Sequence, residues 1–390
     1  PWRRNRSPAR SPASGAGRNR SRNYIYVKVE TDEGLVGWGE ATIGPRSVVN
    51  MIEEYGQVLI GKDPGRIEDH WQTLYHHFQN ARGGPIQMPA ISGIEIALWD
   101  IKGKALGVPI YELLGGKIRD RIWCYGRWDG DPVEQAVETA LHYTSQGITA
   151  LKGDPFNHNG LFVPIEAERL AIEKLKAVRE AVGDDVELII EAHGRLAPSD
   201  AIRISNQMAQ YRPFAIEEPV PPENLDAPEY VARSINIPVV TGERLFTKYA
   251  YTELLHRQIV KMIQPDVLHV GGILEMKKIA AMAEAYYVGL QPHNCYGPIC
   301  TMASLQVDAC TPNFMIQEGG ITPWFQDAVI GEFPVQKDGY LPVPTAPGLG
   351  VDMDEEWLKA HPWREGNEEM PWKPQYTPIT TPSMQGTEWT

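Results

Sequence analysis

Six residues whose side chains can do acid–base or metal chemistry recur along the chain at a nearly even interval. Glu191, Glu217, Glu243, Asp266, His293 and Glu318 are separated by 26, 26, 23, 27 and 25 residues. Carboxylates gathered in one place repel one another, and one of them takes up a proton unless a cation holds them together. An all-oxygen donor set suits a hard divalent ion, and Mg²⁺ is the usual occupant because it leaves positions open for water and substrate oxygens. A histidine one repeat after an aspartate adds a second kind of chemistry. If Asp266 bonds one ring nitrogen of His293, it fixes the tautomer and raises the basicity of the other, which makes a general base. His193 lies two residues beyond Glu191, on the same side of an extended segment, and is placed to act as a second acid or base.

The interval is that of one strand followed by one helix. Short apolar runs read as strands at 121–126, 148–152, 186–191, 214–217, 237–241, 260–264, 288–291 and 314–318, and amphipathic segments such as 164–182, 198–210 and 272–286 lie between them. Eight strands with intervening helices predict a (β/α)8-type barrel, whose active site lies at the C-terminal ends of the strands. From the third strand onward, each of these ends carries one of the six residues. A doubly wound sheet is the alternative, but it commonly has fewer strands and a Gly-rich first turn. Neither GxGxxG nor GxxxxGK[ST] occurs.

Ahead of this region, YIYVKVET and LVGWGEA around Asp32-Glu33-Gly34 predict a hairpin, and residues 47–80 and 89–106 read as helices of a small α+β lobe. The first 22 residues contain seven Arg, no acid and almost nothing apolar, and are expected to stay disordered without a strand of their own. Without those seven, the remaining chain carries 30 − 50 = −20 of its formal charge, which argues against nucleic acid or an anionic membrane as partner. No apolar run is long enough to span a membrane. Cys124, Cys295, Cys300 and Cys310 form no CxxC pair, so reduced thiols and a cytoplasmic location are expected. The cluster Asp69-His70…His76-His77 reads as a solvated helix face, and His269 as a structural or surface residue.

The stretches KVETDEGLVGWGE, GGPIQMPAISGIEIALWDIKGKALG, EAHGR, FAIEEPV, GER, IQPDVLHVGGI, PHNCYGPI and PGLGV resemble the enolase superfamily, and specifically its mandelate racemase subgroup. The resemblance implies a (β/α)7β TIM-like barrel with an α+β capping domain built from both chain ends. Its expected boundaries are a tail at 1–22, a capping domain at 23–118, a barrel at 119–320 and a returning segment at 321–390. It implies Glu191, Glu217 and Glu243 as Mg²⁺ ligands and His293 with Asp266 as the dyad that takes an α-proton. By the same resemblance His193 is the acid for a departing hydroxyl, Glu318 helps hold an enediolate, and Lys152 is the lysine of the second barrel strand. The stretches 126–131 and 153–159 are expected to line the pocket, with Arg127, Trp128 and Asp154 as substrate-binding candidates beside Lys152. Asp154 stands where a racemase would carry a second base. The implied activity is dehydration of a sugar acid, with racemisation or epimerisation, or a non-catalytic homologue, as alternatives. An even-numbered homo-oligomer is implied as well.

Overall fold

The structure is a computed structural model that describes residues 23–158, 160–319 and 322–363, and the backbone alone of 6–10. The remaining residues of the N-terminal tail, Asn159 of the expected pocket stretch, and residues 364–390 of the returning segment lie outside the described residues.

The N-terminal part is a three-stranded antiparallel sheet against helices: β1 (Arg6–Arg10), β2 (Asn23–Glu30), β3 (Val36–Ala41), α1 (Pro45–Leu59), α2 (Ile67–His77), α3 (Gln87–Leu106) and α4 (Ile110–Leu113). β2 and β3 pair from Ile25↔Ala41 to Glu30↔Val36, and Gly34 takes a positive φ at the hairpin turn. α3 is buried along most of its length, including Glu95 and Asp100. It lies so close to β3 that a Cβ at Gly39 would meet the Gly93 carbonyl oxygen at 1.8 Å, so only glycine serves there.

Two expectations are corrected here. The continuous helix 47–80 is two helices, α1 and α2, because Gly61, Asp63, Pro64 and Gly65 interrupt it with a turn. The expected strandless tail contributes β1, whose Arg6–Arg10 pair with Val27–Asn23. A ladder is made of backbone groups, so an added strand needs no apolar side chains of its own.

Eight strands alternate with seven helices next: β4 (Arg121–Arg127), α5 (Val133–Thr144), β5 (Ala150–Gly153), α6 (Ile165–Val182), β6 (Glu187–Glu191), α7 (Pro198–Met208), β7 (Ala215–Glu217), α8 (Asp226–Ala232), β8 (Val239–Thr241), α9 (Thr247–Arg257), β9 (Met262–Ile263), α10 (Ile273–Ala285), β10 (Gly289–Leu290), α11 (Pro298–Ala309) and β11 (Gln317–Glu318). The hydrogen-bonded order is β10-β9-β8-β7-β6-β5-β4-β11. Leu290 bridges in parallel to Phe314, on the segment that runs into β11, so the order closes on itself as a barrel. The strands are runs such as Leu188–Ile190 and Val239–Val240 that are apolar on both faces, as buried parallel strands must be.

The chain then forms α12 (Trp324–Asp327), β12 (Val329–Gly331), β13 (Tyr340–Pro342), β14 (Val351–Met353) and α13 (Glu355–Ala360). This stretch returns to the N-terminal lobe through Lys28 Nζ–Glu355 Oε1 and Lys104 Nζ–Asp352 Oδ1, both at 2.6 Å. By packing, the chain divides into two units. One runs to Gly126, includes Gln146–Ile148 and resumes at Thr241, and the other holds Arg127–Ser145 and Thr149–Val240.

Candidate active site

In the second unit, Glu191 and Glu217 end β6 and β7 and are register partners, so their side chains leave neighbouring strands at one level. Lys152, from β5, extends between them, with Nζ 2.7 Å from Glu217 Oε1 and 3.2 Å from Glu191 Oε2. All three side chains are at most 5% exposed, so the ammonium offsets carboxylate charge that water cannot reach. Beyond β6 the chain turns at His193, whose positive φ lets its backbone N–H donate to Glu191 Oε1 at 2.6 Å. The His193 ring donates from Nδ1 to Asp154 Oδ2 at 2.9 Å. Arg195 donates to both oxygens of Asp154 at 2.6 Å. Burial pushes the Asp154 carboxyl up, and His193 and Arg195 outweigh it, so it is held below its ordinary value.

Asp154 is therefore engaged with protein groups, with its side chain 20% exposed. Trp128, expected to line the pocket, is buried instead. Its indole donates to the Ile189 carbonyl at 3.1 Å, and its ring lies where a Cβ on Gly153 would go. Arg127 is partly exposed and pairs with Asp129 at 2.6 Å.

In the first unit, Asp266 and His293 are parallel bridge partners, and His293 Nδ1 donates to Asp266 Oδ2 at 2.6 Å. The other Asp266 oxygen accepts from Leu268 N at 2.7 Å, which fixes the carboxylate plane. His293 Nε2 lies 3.6 Å from Glu243 Oε2 and 4.0 Å from Glu318 Oε2. Glu318 is held in turn by the Asn294 backbone N–H at 2.8 Å. Burial pulls the His293 pKa down, but Cys295, Glu243 and the bond to Asp266 outweigh it, so it stands well above its ordinary value.

His269 is not a surface residue: it is 5% exposed and belongs to this group. It donates from Nδ1 to the Glu243 carbonyl at 2.7 Å, accepts from Tyr296 Oη at 3.2 Å, and its ring centroid is 6.0 Å from that of His293. Position alone could have flagged it, three residues after Asp266 in PDVLHVGG. Arg195, in EAHGR, was missed because its partner Asp154 is 41 residues away. In the other expected cluster, His70 is buried and bonded to the Asp63 carbonyl, while His76 and His77 are exposed.

Glu191, Glu217 and Glu243 each offer a carboxylate oxygen, and these oxygens lie within 4.8 Å of one another. Three hard anionic donors at that spacing fit a divalent ion of the Mg²⁺ type.

A family described as mandelate racemase / muconate lactonizing enzyme, N-terminal domain, matches residues 3–115, and one described as enolase C-terminal domain-like matches 135–357. The first match reaches into the Arg-rich tail. D-galactonate dehydratase of Xanthomonas euvesicatoria pv. vesicatoria (strain 85-10) is 41% identical over 346 residues, covering 86% of this chain and 90% of that protein. D-galactonate dehydratase of Variovorax paradoxus (strain S110) is 40% identical over 342 residues, covering 85% and 89%. Among solved structures, a mandelate racemase/muconate lactonizing enzyme from Sulfitobacter sp. aligns with TM-score 0.86 and 35% identity over 93% of this chain and 95% of that one. A member of the enolase superfamily from Salmonella Typhimurium aligns with TM-score 0.82 and 34% identity over 87% and 95%.

Proposed function

The chain belongs to the enolase superfamily, and from that premise we propose that it dehydrates a sugar acid of the aldonate type to a 2-keto-3-deoxy acid. The observation that carries the reading is the bond between Asp266 and His293. It turns His293 Nε2 toward the reaction and supports the imidazolium that forms when the base takes a proton. A hydrogen α to a carboxylate is a very weak acid, so the barrier lies mainly in the negative charge that develops on the carboxylate oxygens.

Glu191, Glu217 and Glu243 would hold a divalent cation, with Lys152 beside two of them. When bound, that ion supplies electrostatic stabilisation of the developing enediolate. In the reading we propose, His293 Nε2 removes the C2 proton. His193 Nε2 then gives a proton to the C3 hydroxyl, the C3–O bond breaks and water leaves. The resulting enol becomes the ketone at C2. Asp154 and Arg195 keep His193 oriented through Nδ1 so that Nε2 faces the leaving group. Glu318 stands 4.0 Å from the base and would help hold the substrate's carboxylate end.

Elimination is preferred over racemisation because the position of a second base is Asp154, whose carboxylate is already bonded to His193 and Arg195. The relatives named D-galactonate dehydratase support the same substrate class. Screening aldonates, D-galactonate first, for a 2-keto-3-deoxy product in the presence of Mg²⁺ tests the proposal. A racemised or epimerised acid with no keto product would replace it.

A further inference from the structure

Two glutamates of the N-terminal lobe, far from the dyad in sequence and wholly or almost wholly buried, hold the first turns of the two helices that follow it. α11 begins at Pro298, which has no N–H, after Gly297, which has no side chain to cap it. Glu40 of β3 does the capping from outside: Oε1 accepts from Gly297 N at 2.6 Å and Oε2 from Cys300 N at 2.9 Å. α10 begins after Gly272 and is held in the same way by Glu95 of α3. There, Oε2 accepts from Ile273 N at 2.8 Å and Oε1 from Leu274 N at 2.9 Å and from the Trp99 indole at 2.7 Å. Both approaches depend on the glycine. A Cβ would meet Glu40 Oε1 at 2.5 Å from Gly297 and Glu95 Oε2 at 2.0 Å from Gly272.

Four residues before Gly297 stands His293, and six before Gly272 stands Asp266. The turn after Asp266 is secured further by Gly271 N to Ser92 Oγ and the Trp71 indole to the Gly271 carbonyl, both at 3.0 Å. We propose that Glu40 and Glu95 are positioning residues for the dyad, fixing from the N-terminal lobe the two turns that keep His293 within hydrogen-bond distance of Asp266. Each carboxyl group accepts from two first-turn N–H groups, which have no partner within their own helix, and so ties the turn at two points. An amide would offer one acceptor and turn its NH₂ against an N–H. A misplacement of about 1 Å at a reacting group can cost on the order of a hundredfold in rate.

The proposal rests on His293 being the base, so the test separates the two. In the Mg²⁺-loaded full chain, the His293 Nδ1–H proton bonded to Asp266 is followed by NMR as a far-downfield signal, assigned by its loss in His293→Asn. Turnover of an active aldonate is measured alongside. Glu40→Gln, Glu95→Gln and Gly297→Ala, the last of which leaves Glu40 in place but crowds it off the turn, should each shift or broaden that signal. They should also lower kcat at least tenfold per folded molecule with KM within about twofold. If Glu40→Gln does not fold, Gly297→Ala carries the test. Wild-type signal and wild-type kcat per folded molecule in the folded variants, even with a lowered Tm, would reduce the two glutamates to a structural role. Full turnover in His293→Asn would instead sink the proposed function.

Discussion

A hydrogen bond at Nδ1 fixes the orientation of each of the two catalytic histidine candidates, and in the proposed reaction Nε2 is the reactive nitrogen. For His293 the partner is Asp266, and for His193 it is Asp154. His293→Asn is expected to abolish both keto-acid formation and deuterium exchange at C2 in D₂O. Asp266→Asn keeps the shape but no longer fixes the tautomer, and should lower kcat by about a thousandfold or more, as removal of a histidine's carboxylate partner does elsewhere. Asp154→Asn makes the opposite separation. It acts on His193, the residue assigned to the leaving hydroxyl, and Asp154 makes no bond to His293 or Asp266, so product formation should fall by about tenfold or more while C2 exchange persists. Loss of both in parallel would assign His193 to the proton abstraction instead.

At the level of the elements, the same lobe that caps α10 and α11 introduces a pH dependence. Burial pushes the carboxyls of Glu40 and Glu95 up to about 8, against the pull of the backbone N–H donors, from 4.5. Between those values the folded chain retains protons that the unfolded chain has lost. Stability is therefore fullest below about pH 4.5 as far as these two groups are concerned, and declines as pH rises through about 8. Each group contributes a slope of at most about 1.4 kcal/mol per pH unit. Denaturant midpoints followed from pH 6 upward should fall in the wild type, and less steeply in Glu95→Gln. Equal slopes would mean that the Glu95 carboxyl does not carry the effect. The N-terminal strand makes a separate contribution. Removing residues 1–10 takes β1 from β2 over five residue pairs and should lower Tm, whereas a disordered tail would leave it unchanged.

For the whole molecule, a cation bound only by the folded chain must stabilise it. At a free Mg²⁺ concentration about a hundredfold above its Kd, the gain is about 2.7 kcal/mol. Thermal melts with and without Mg²⁺, and after chelation, should therefore differ by a few degrees, and the difference should vanish in Glu217→Gln or Glu243→Gln. A shift that survives both substitutions would place the ion elsewhere. Among the described residues, no helix is long and apolar enough to cross a membrane.

The sequence by itself determined the alternation of strand and helix, because buried parallel strands must be apolar on both faces and each needs a helix to return. That period sets Glu191, Glu217, Glu243, Asp266, His293 and Glu318 one repeat apart, and one repeat of strand and helix comes back to the same end of a barrel. The tertiary structure decided what periodicity cannot encode. Contacts between residues far apart in the chain have no sequence period, so the bonds from Arg195 to Asp154, from Tyr296 to His269 and from Glu40 to the start of α11 became visible only on folding. Burial had the same effect on Trp128, where an aromatic residue in a polar loop looked like a pocket wall but packs under Gly153. A backbone ladder likewise gave β1 a place that its side chains did not announce, because the N–H and C=O groups that form it are common to almost every residue.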